Sequence, residues 1–221
     1  MLPSPKGVGL RERGVSKVMQ KLVIASSNPG KLREFQFLLQ PLGIEVLTQS
    51  QLGIGEAEEP HPTFIENALA KARHVSLLSG LPALADDSGI CVTALDGAPG
   101  VLSARYAGDD PKSDQRNNEK LLQTMLGVSD RRAHYYCVLV LLHHAGDPQP
   151  LIAEGEWHGE IALQPAGDGG FGYDPLFWLP QFGRTSAQLE REQKHAISHR
   201  GKALQVLLDK LKDLQCVVPA G

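Results

Sequence analysis

The chain has 221 residues, 42% of them hydrophobic and 21% charged, enough for one large domain or two modest lobes with a substantial core. A net charge of −3 and a pI near 6.2 give no global basic field, so composition argues against a polymeric nucleic acid as partner. No apolar run reaches bilayer-spanning length, and Cys91, Cys137 and Cys216 are too widely spaced for a CxxC metal pattern; they read as buried thiols of a reducing cytoplasm.

Residues 1–18 are rich in Gly, Pro, Arg and Lys and lack an apolar h-region, so they read as a mobile extension or an upstream choice of start codon, with an organelle transit peptide a weaker alternative, and not as a secretory signal. The folded part then starts at Met19. Residues 22–25 form a short β-type run that stops at Ser26-Ser27-Asn28-Pro29-Gly30-Lys31. Asn28 suits an N-cap and Pro29 the first helical position. Leu32, Phe35, Leu38, Leu39 and Leu42 then recur at helical spacing, and Gly43 closes the helix. Residues 44–48 alternate like a strand. An acidic loop over 51–62 carries Glu56, Glu58 and Glu59, and Thr63 with Glu66 forms a capping box for a helix reaching about Ser79.

A Pro-bounded apolar run, 81–85, leads into Asp86-Asp87-Ser88-Gly89, and a second apolar run follows over 90–95. We expect a strand ending at Asp86, a polar-faced helix over 114–126 and a central strand over 135–142. An antiparallel partner is expected over 151–157. The Gly-rich segment 167–175 reads as a loop, with a short helix starting near Thr185 and a final one near Ser198. The last helix is expected to bury Leu204, Leu207, Leu208, Leu211 and Leu214. No repeat or low-complexity block appears, and alternating strands and helices predict an α/β fold with a mixed sheet.

Adjacent carboxylates beyond a strand are costly to bury without compensation, and a hard divalent ion such as Mg²⁺ is the natural compensator. An exposed Asp-Asp-Ser-Gly turn is the alternative when the motif is taken alone. The helix start at 28–31 offers free N–H groups and a positive end suited to phosphate, and Lys31 there, unfavourable with the macrodipole, hints at an anion. Taken by itself the motif is more often a plain cap with a solvated lysine, and no Walker A loop is present. In Gly169-Gly170-Phe171-Gly172-Tyr173-Asp174-Pro175, the rings are suited either to stacking on a base or to anchoring the loop in the core. Lys71, Lys194, His199 and Arg200 add cationic or donor side chains that singly read as surface charges.

In this order and spacing, SSNPGK, FIENA with Lys71, ADDSG, GGFGYDP and SHRGKAL closely resemble the inosine/xanthosine triphosphate pyrophosphatase family from Met19 to about Leu214. The resemblance implies an elongated mixed α/β fold, one domain over 19–215, whose two lobes flank a central cleft, with 216–221 as a tail. It also implies a homodimer and Mg²⁺-dependent hydrolysis of ITP, dITP or XTP to monophosphate and pyrophosphate. On matching positions, Ser26, Ser27, Asn28, Pro29, Gly30 and Lys31 hold phosphates with Lys71. Asp87 is the catalytic and metal residue, Glu58 or Glu59 assists the metal, and Ser88 touches substrate. Phe171, Gly172, Tyr173, Asp174, Lys194, His199 and Arg200 cradle base and sugar-phosphate. Ser26-Ser27 departs from the family's frequent Thr-Gly, removing a glycine's backbone freedom from the phosphate loop. Among rivals, septum-inhibition type pyrophosphatases are disfavoured by FGYDP and SHR. A haloacid-dehalogenase phosphatase needs an Asp-x-Asp absent after the first strand, and a non-catalytic nucleotide-binding regulator has no reason to retain Asp87 and Lys31.

Overall fold

The structure, a computed structural model, describes residues 19–216. The extension expected over 1–18 lies outside the described residues, as do 217–221 and the side chains of Pro29, Glu34, Phe37, Leu38, Leu42, Leu214, Gln215 and Cys216. Seven strands, β1 (Lys21–Ala25), β2 (Glu45–Thr48), β3 (Ala83–Val92), β4 (Arg132–Leu142), β5 (Leu151–Ile161), β6 (Phe177–Leu179) and β7 (Arg184–Thr185), form one sheet ordered β2-β1-β3-β4-β5-β6-β7. Pairings of β1 with β2 and β3 are parallel and all others are antiparallel. The parallel part requires crossovers, supplied by α1 (Pro29–Leu39) and α2 (Phe64–Ser79). The antiparallel part is a meander interrupted by α3 (Asp114–Thr124) and followed by α4 (Arg191–Ile197) and α5 (His199–Cys216).

Strand alternation divides the core between the two faces. Leu22, Ile24 and Leu84 pack with Phe35, Leu39, Leu204, Leu207 and Leu211 of α1 and α5. Val23, Ala83 and Ala85 point the other way, onto Ala68, Ala72 and Val75 of α2. A third cluster joins Tyr135, Trp157, Phe177 and Leu179 to Leu121 and Met125 beside α3. Strand β5 and helix α5 touch backbone to backbone at Gly155, where a Cβ would lie 2.1 Å from the His199 carbonyl oxygen and 2.6 Å from the Ala203 nitrogen.

Local signals fix several helix ends as expected. Asn28 Oδ1 accepts from the N–H groups of Gly30 and Lys31 at 2.9 and 3.2 Å. Thr63 and Glu66 pair reciprocally, and Gly80 closes α2 at φ 68°. The expectation that a strand ends at Asp86 is corrected: β3 continues through Asp-Asp-Ser-Gly to Val92. The reason is β4, which opposes Asp86, Asp87, Ser88 and Gly89 with Leu139, Val138, Cys137 and Tyr136 and so carries the hydrogen-bond ladder past the motif. Gly89 in mid-strand admits the 3-10 segment Gly100–Arg105, since a Cβ there would lie 2.4 Å from the Gly100 carbonyl oxygen.

Both β4 and β5 extend beyond their apolar runs because they pair with each other from Arg132↔Glu160 to Leu141↔Leu151. The helix expected near Thr185 is displaced: Arg184 and Thr185 pair with β6, a 3-10 turn spans Ser186–Gln188, and the α-helix begins at Arg191. The helix expected to reach Leu126 ends at Thr124, leaving Leu126 exposed. Strands β6 and β7, three and two residues long, carry too short a pattern to be read from sequence.

Candidate active site

The site forms where the parallel edge runs out. β1 pairs last at Ala25↔Ala85, so beyond Ala85 strand β3 has β4 on one side and the N-terminal turn of α1 near the other. Alternation sends the two adjacent carboxylates to opposite faces.

Asp86 turns toward α1 and α5. It is 2% exposed, with Oδ2 lying 2.6 Å from Lys31 Nζ and 3.9 Å from Arg200 Nη2. Burial alone would raise its pKa, but Lys31, then Arg200 and Lys71, outweigh it and hold the carboxyl at about 2. Asp87 turns toward α2, where Lys71 Nζ lies 3.1 Å from its Oδ1. Here burial wins: the pKa rises despite Lys71, with Glu59 and Asp86 adding like-charge repulsion. Lys71 is thus the partner of Asp87 and Lys31 that of Asp86.

Lys71 Nζ also donates to Glu59 Oε1 at 2.7 Å. Burial would depress the ammonium, but Asp87, Asp86 and Glu59 together raise its pKa, so Lys71 stays charged. Arg105 then grips Glu59 twice, through the carboxylate and the backbone carbonyl oxygen, each at 3.3 Å. Burial pushes the Glu59 carboxyl up, yet Lys71 and Arg105 bring it below its ordinary value. Of the two loop acids considered for a metal, Glu59 joins Asp87 around Lys71, whereas Glu58 is exposed.

On the α1 side, Ser26 Oγ accepts from the Asn28 N–H at 3.2 Å, and Ser27 Oγ donates to Glu56 of the acidic loop. The first turn, with Pro29 and Gly30, has no acid, and Lys31 reaches back to Asp86. Two lysines thus approach the carboxylate pair from two helices.

The Gly-rich loop separates its two rings. Phe171 is 54% exposed, with Lys194 Nζ 5.2 Å and Arg200 Cζ 5.9 Å from its ring centroid. Tyr173 is 3% exposed and donates to the Ser103 carbonyl oxygen at 2.8 Å. Tyr173 anchors the loop and Phe171 presents a free face. Asp174, expected among the residues that cradle base and sugar-phosphate, is buried and already accepts from the Phe171 N–H and Ser186 Oγ, each at 2.8 Å, and from Lys194.

At the start of α5, His199 is buried and stacks on Tyr135 at 4.7 Å and 9°. Burial, then Arg200, Lys194 and Lys31, hold its pKa well below the ordinary histidine value, so the ring is neutral. Its Nδ1 is buried without a hydrogen-bond partner among the described residues. Arg200 Nη2 donates to Ser88 Oγ at 3.3 Å, which ties the final helix to the strand carrying both acids.

Sequence reasoning missed Arg105, Glu56 and the helix α3 residues beside Gly172. Arg105 lies 46 residues from Glu59, with no local pattern to link them. Cys91 and Cys137 are free thiols, with burial the leading cause that raises them to about 11 and about 12, so neither is a ready nucleophile.

Half-buried lysines against buried carboxylates beside a helix N-terminus, at the point where a parallel edge ends, define an α/β enzyme of the phosphate-handling kind. The chain belongs to the Ham1 family, whose model matches residues 22–210. It is 64% identical over 199 residues to a dITP/XTP pyrophosphatase of Nitrosomonas europaea, covering 90% of this chain and 98% of that one. It is 61% identical over 196 residues to a dITP/XTP pyrophosphatase of Ralstonia nicotianae, covering 88% and 98%. A solved HAM1 protein from Coxiella burnetii superposes with a TM-score of 0.85 at 47% identity, covering 88% of this chain and 100% of that one.

Proposed function

We propose that the chain hydrolyses ITP, dITP and XTP to the nucleoside monophosphate and pyrophosphate, clearing deaminated purines from the nucleotide pool. The observation that carries this reading is the pair of lysines, Lys31 and Lys71, converging on Asp86 and Asp87 beside the N-terminus of α1. Relatives with the printed name dITP/XTP pyrophosphatase support the substrate class.

Triphosphate binding needs positive charge that stays on at neutral pH. Lys71, with its raised pKa, meets that need, and Lys31 brings a second side-chain amine to the head of α1. Asn28 orders the first turn, and Ser26 and Ser27 bring hydroxyl donors to the same bend. Attack of water on the α-phosphorus needs a proton acceptor. Asp87 suits that role, because a carboxyl lifted by burial is a better base than a solvated one. Asp86, held ionised, keeps Lys31 and Arg200 in place.

The residues fit a divalent metal. Asp87 and Glu59 converge on one Lys71 ammonium and offer hard oxygen donors, the chemistry Mg²⁺ prefers. No group of three or more His, Cys, Asp or Glu suited to a metal exists among the described residues, so water and phosphate oxygens would complete the shell. Bound there, Mg²⁺ would neutralise phosphate charge and acidify water. Phe171 offers an exposed ring on which a purine can stack, with Lys194 and Arg200 beside it. Neutral His199, with Arg200, is suited to donate to a 6-oxo group, and adenine, with an amino group there, would leave such a donor unpaired. We further assign residues 19–215 to one domain of two lobes, a homodimeric assembly and a cytoplasmic setting. No helix among the described residues is long and apolar enough to cross a membrane.

The test is a panel of nucleoside triphosphates with Mg²⁺, separating released pyrophosphate from released orthophosphate. Pyrophosphate from ITP and XTP, well above ATP, is expected. Orthophosphate as first product, or equal rates on ATP and ITP, sinks the proposal.

A further inference from the structure

The exposed ring of Phe171 is held from behind by a helix to which neither motif nor resemblance gives a role. Asp114 and Asn118 lie four apart on α3 and so share one helix face. Asp114 Oδ2 accepts from the Gly172 N–H at 2.6 Å, and Asn118 Nδ2 donates to the Gly172 carbonyl oxygen at 2.8 Å. These two atoms belong to the peptide units on either side of Gly172, so the pair fixes both planes that follow the Phe171 Cα. The preceding plane is fixed from the other side, where Asp174 accepts from the Phe171 N–H at 2.8 Å.

The polar pair is not needed to pack α3. Asn117, Leu121 and Met125 form the buried stripe, and Asn117 Oδ1 already ties that stripe to the Ala107 N–H at 2.7 Å. Asn118 Oδ1 is buried with no hydrogen-bond partner among the described residues, so its amide is oriented through the donor on Gly172. Holding a buried amide with one end unsatisfied is unfavourable. A positional role at Gly172 accounts for it.

We propose that Asp114 and Asn118 are positioning residues that clamp the Phe171 platform and so set how tightly the purine base is held. The proposal rests on the reading of Phe171 as the base-stacking ring. A ring on a loop with free backbone torsions loses conformational entropy on stacking, and a clamp that fixes the backbone beforehand removes that cost from binding. The clamp should therefore act on base-bearing ligands and leave a bare phosphate chain untouched.

The experiment measures ITP hydrolysis, and inhibition of it by inorganic tripolyphosphate, for Asp114→Ala, Asn118→Ala, Asp114→Asn and Phe171→Ala, with Gln115→Ala as a control on the same exposed turn. Loss of one such hydrogen bond should raise the KM for ITP about 2- to 10-fold in each α3 alanine variant. Tripolyphosphate inhibition and kcat should stay at wild-type values. Asp114→Asn keeps an oxygen that can accept from the Gly172 N–H and should restore the KM. If Phe171→Ala raises the KM and both α3 alanine variants leave it unchanged, the clamp is wrong while the platform stands. Equal weakening of ITP and tripolyphosphate would mean general loosening of the site and also overturns the clamp. A wild-type KM in Phe171→Ala removes the platform itself, and the proposal with it.

Discussion

Replacing Asp86 with Asn tests whether the buried carboxylate is an electrostatic keystone. The substitution is nearly isosteric and removes a charge that faces both Lys31 and Arg200. The carboxyl sits at about 2 in the folded protein against an ordinary value of 3.8. That gap, at about 1.4 kcal/mol per pH unit, corresponds to roughly 2 kcal/mol of folding stability. Because the folded value is the depressed one, the contribution is complete above about pH 4 and fades as pH falls toward 2. Urea unfolding of wild type and Asp86→Asn at pH 7, 5, 4 and 3 measures it. The variant should be less stable by roughly 2 kcal/mol at pH 7, with the deficit nearly intact at pH 4 and clearly reduced at pH 3. Losing the counter-charge 2.6 Å from Lys31 adds to the deficit at neutral pH. A deficit that is absent at pH 7, or that does not shrink at pH 3, would refute the reasoning.

Asp87 should behave differently, since its raised pKa means that its charge costs stability. Asp87→Asn should keep its circular dichroism spectrum and lose ITP turnover by orders of magnitude; wild-type rates would remove Asp87 from the mechanism. Lys71→Met deletes the shared partner of Asp87 and Glu59, and should raise the KM for ITP while lowering kcat; a change confined to thermal stability would make Lys71 purely structural. Chelation by EDTA should abolish pyrophosphate release and added Mg²⁺ should restore it, whereas full activity in excess EDTA would rule out the metal. Gly155→Ala places a methyl against the backbone of α5 and should cost roughly 1–3 kcal/mol in urea unfolding. An unchanged midpoint would show that α5 can withdraw freely from β5.

What the sequence determined by itself lies in local signals. Asn28-Pro29 and Thr63 with Glu66 announced the starts of α1 and α2, because capping involves atoms within three residues of each other. The ordered motifs likewise marked Asp87, Lys71 and the Gly-rich loop before any contact was known. Tertiary structure decided the rest. The strand at Asp86-Asp87 looked finished, since two acids and a glycine are poor strand formers, yet β4 carries the ladder past them. Which lysine meets which acid depends on the sheet's alternation and on α1 and α2 packing against opposite faces, and no spacing along the chain encodes that. The division of labour between Phe171 and Tyr173, two residues apart, depends on where the Ser103 carbonyl lies. Arg105 reaches Glu59 across 46 residues, and α3 reaches Gly172 across 54 and 58, distances at which only the folded chain brings donors and acceptors together.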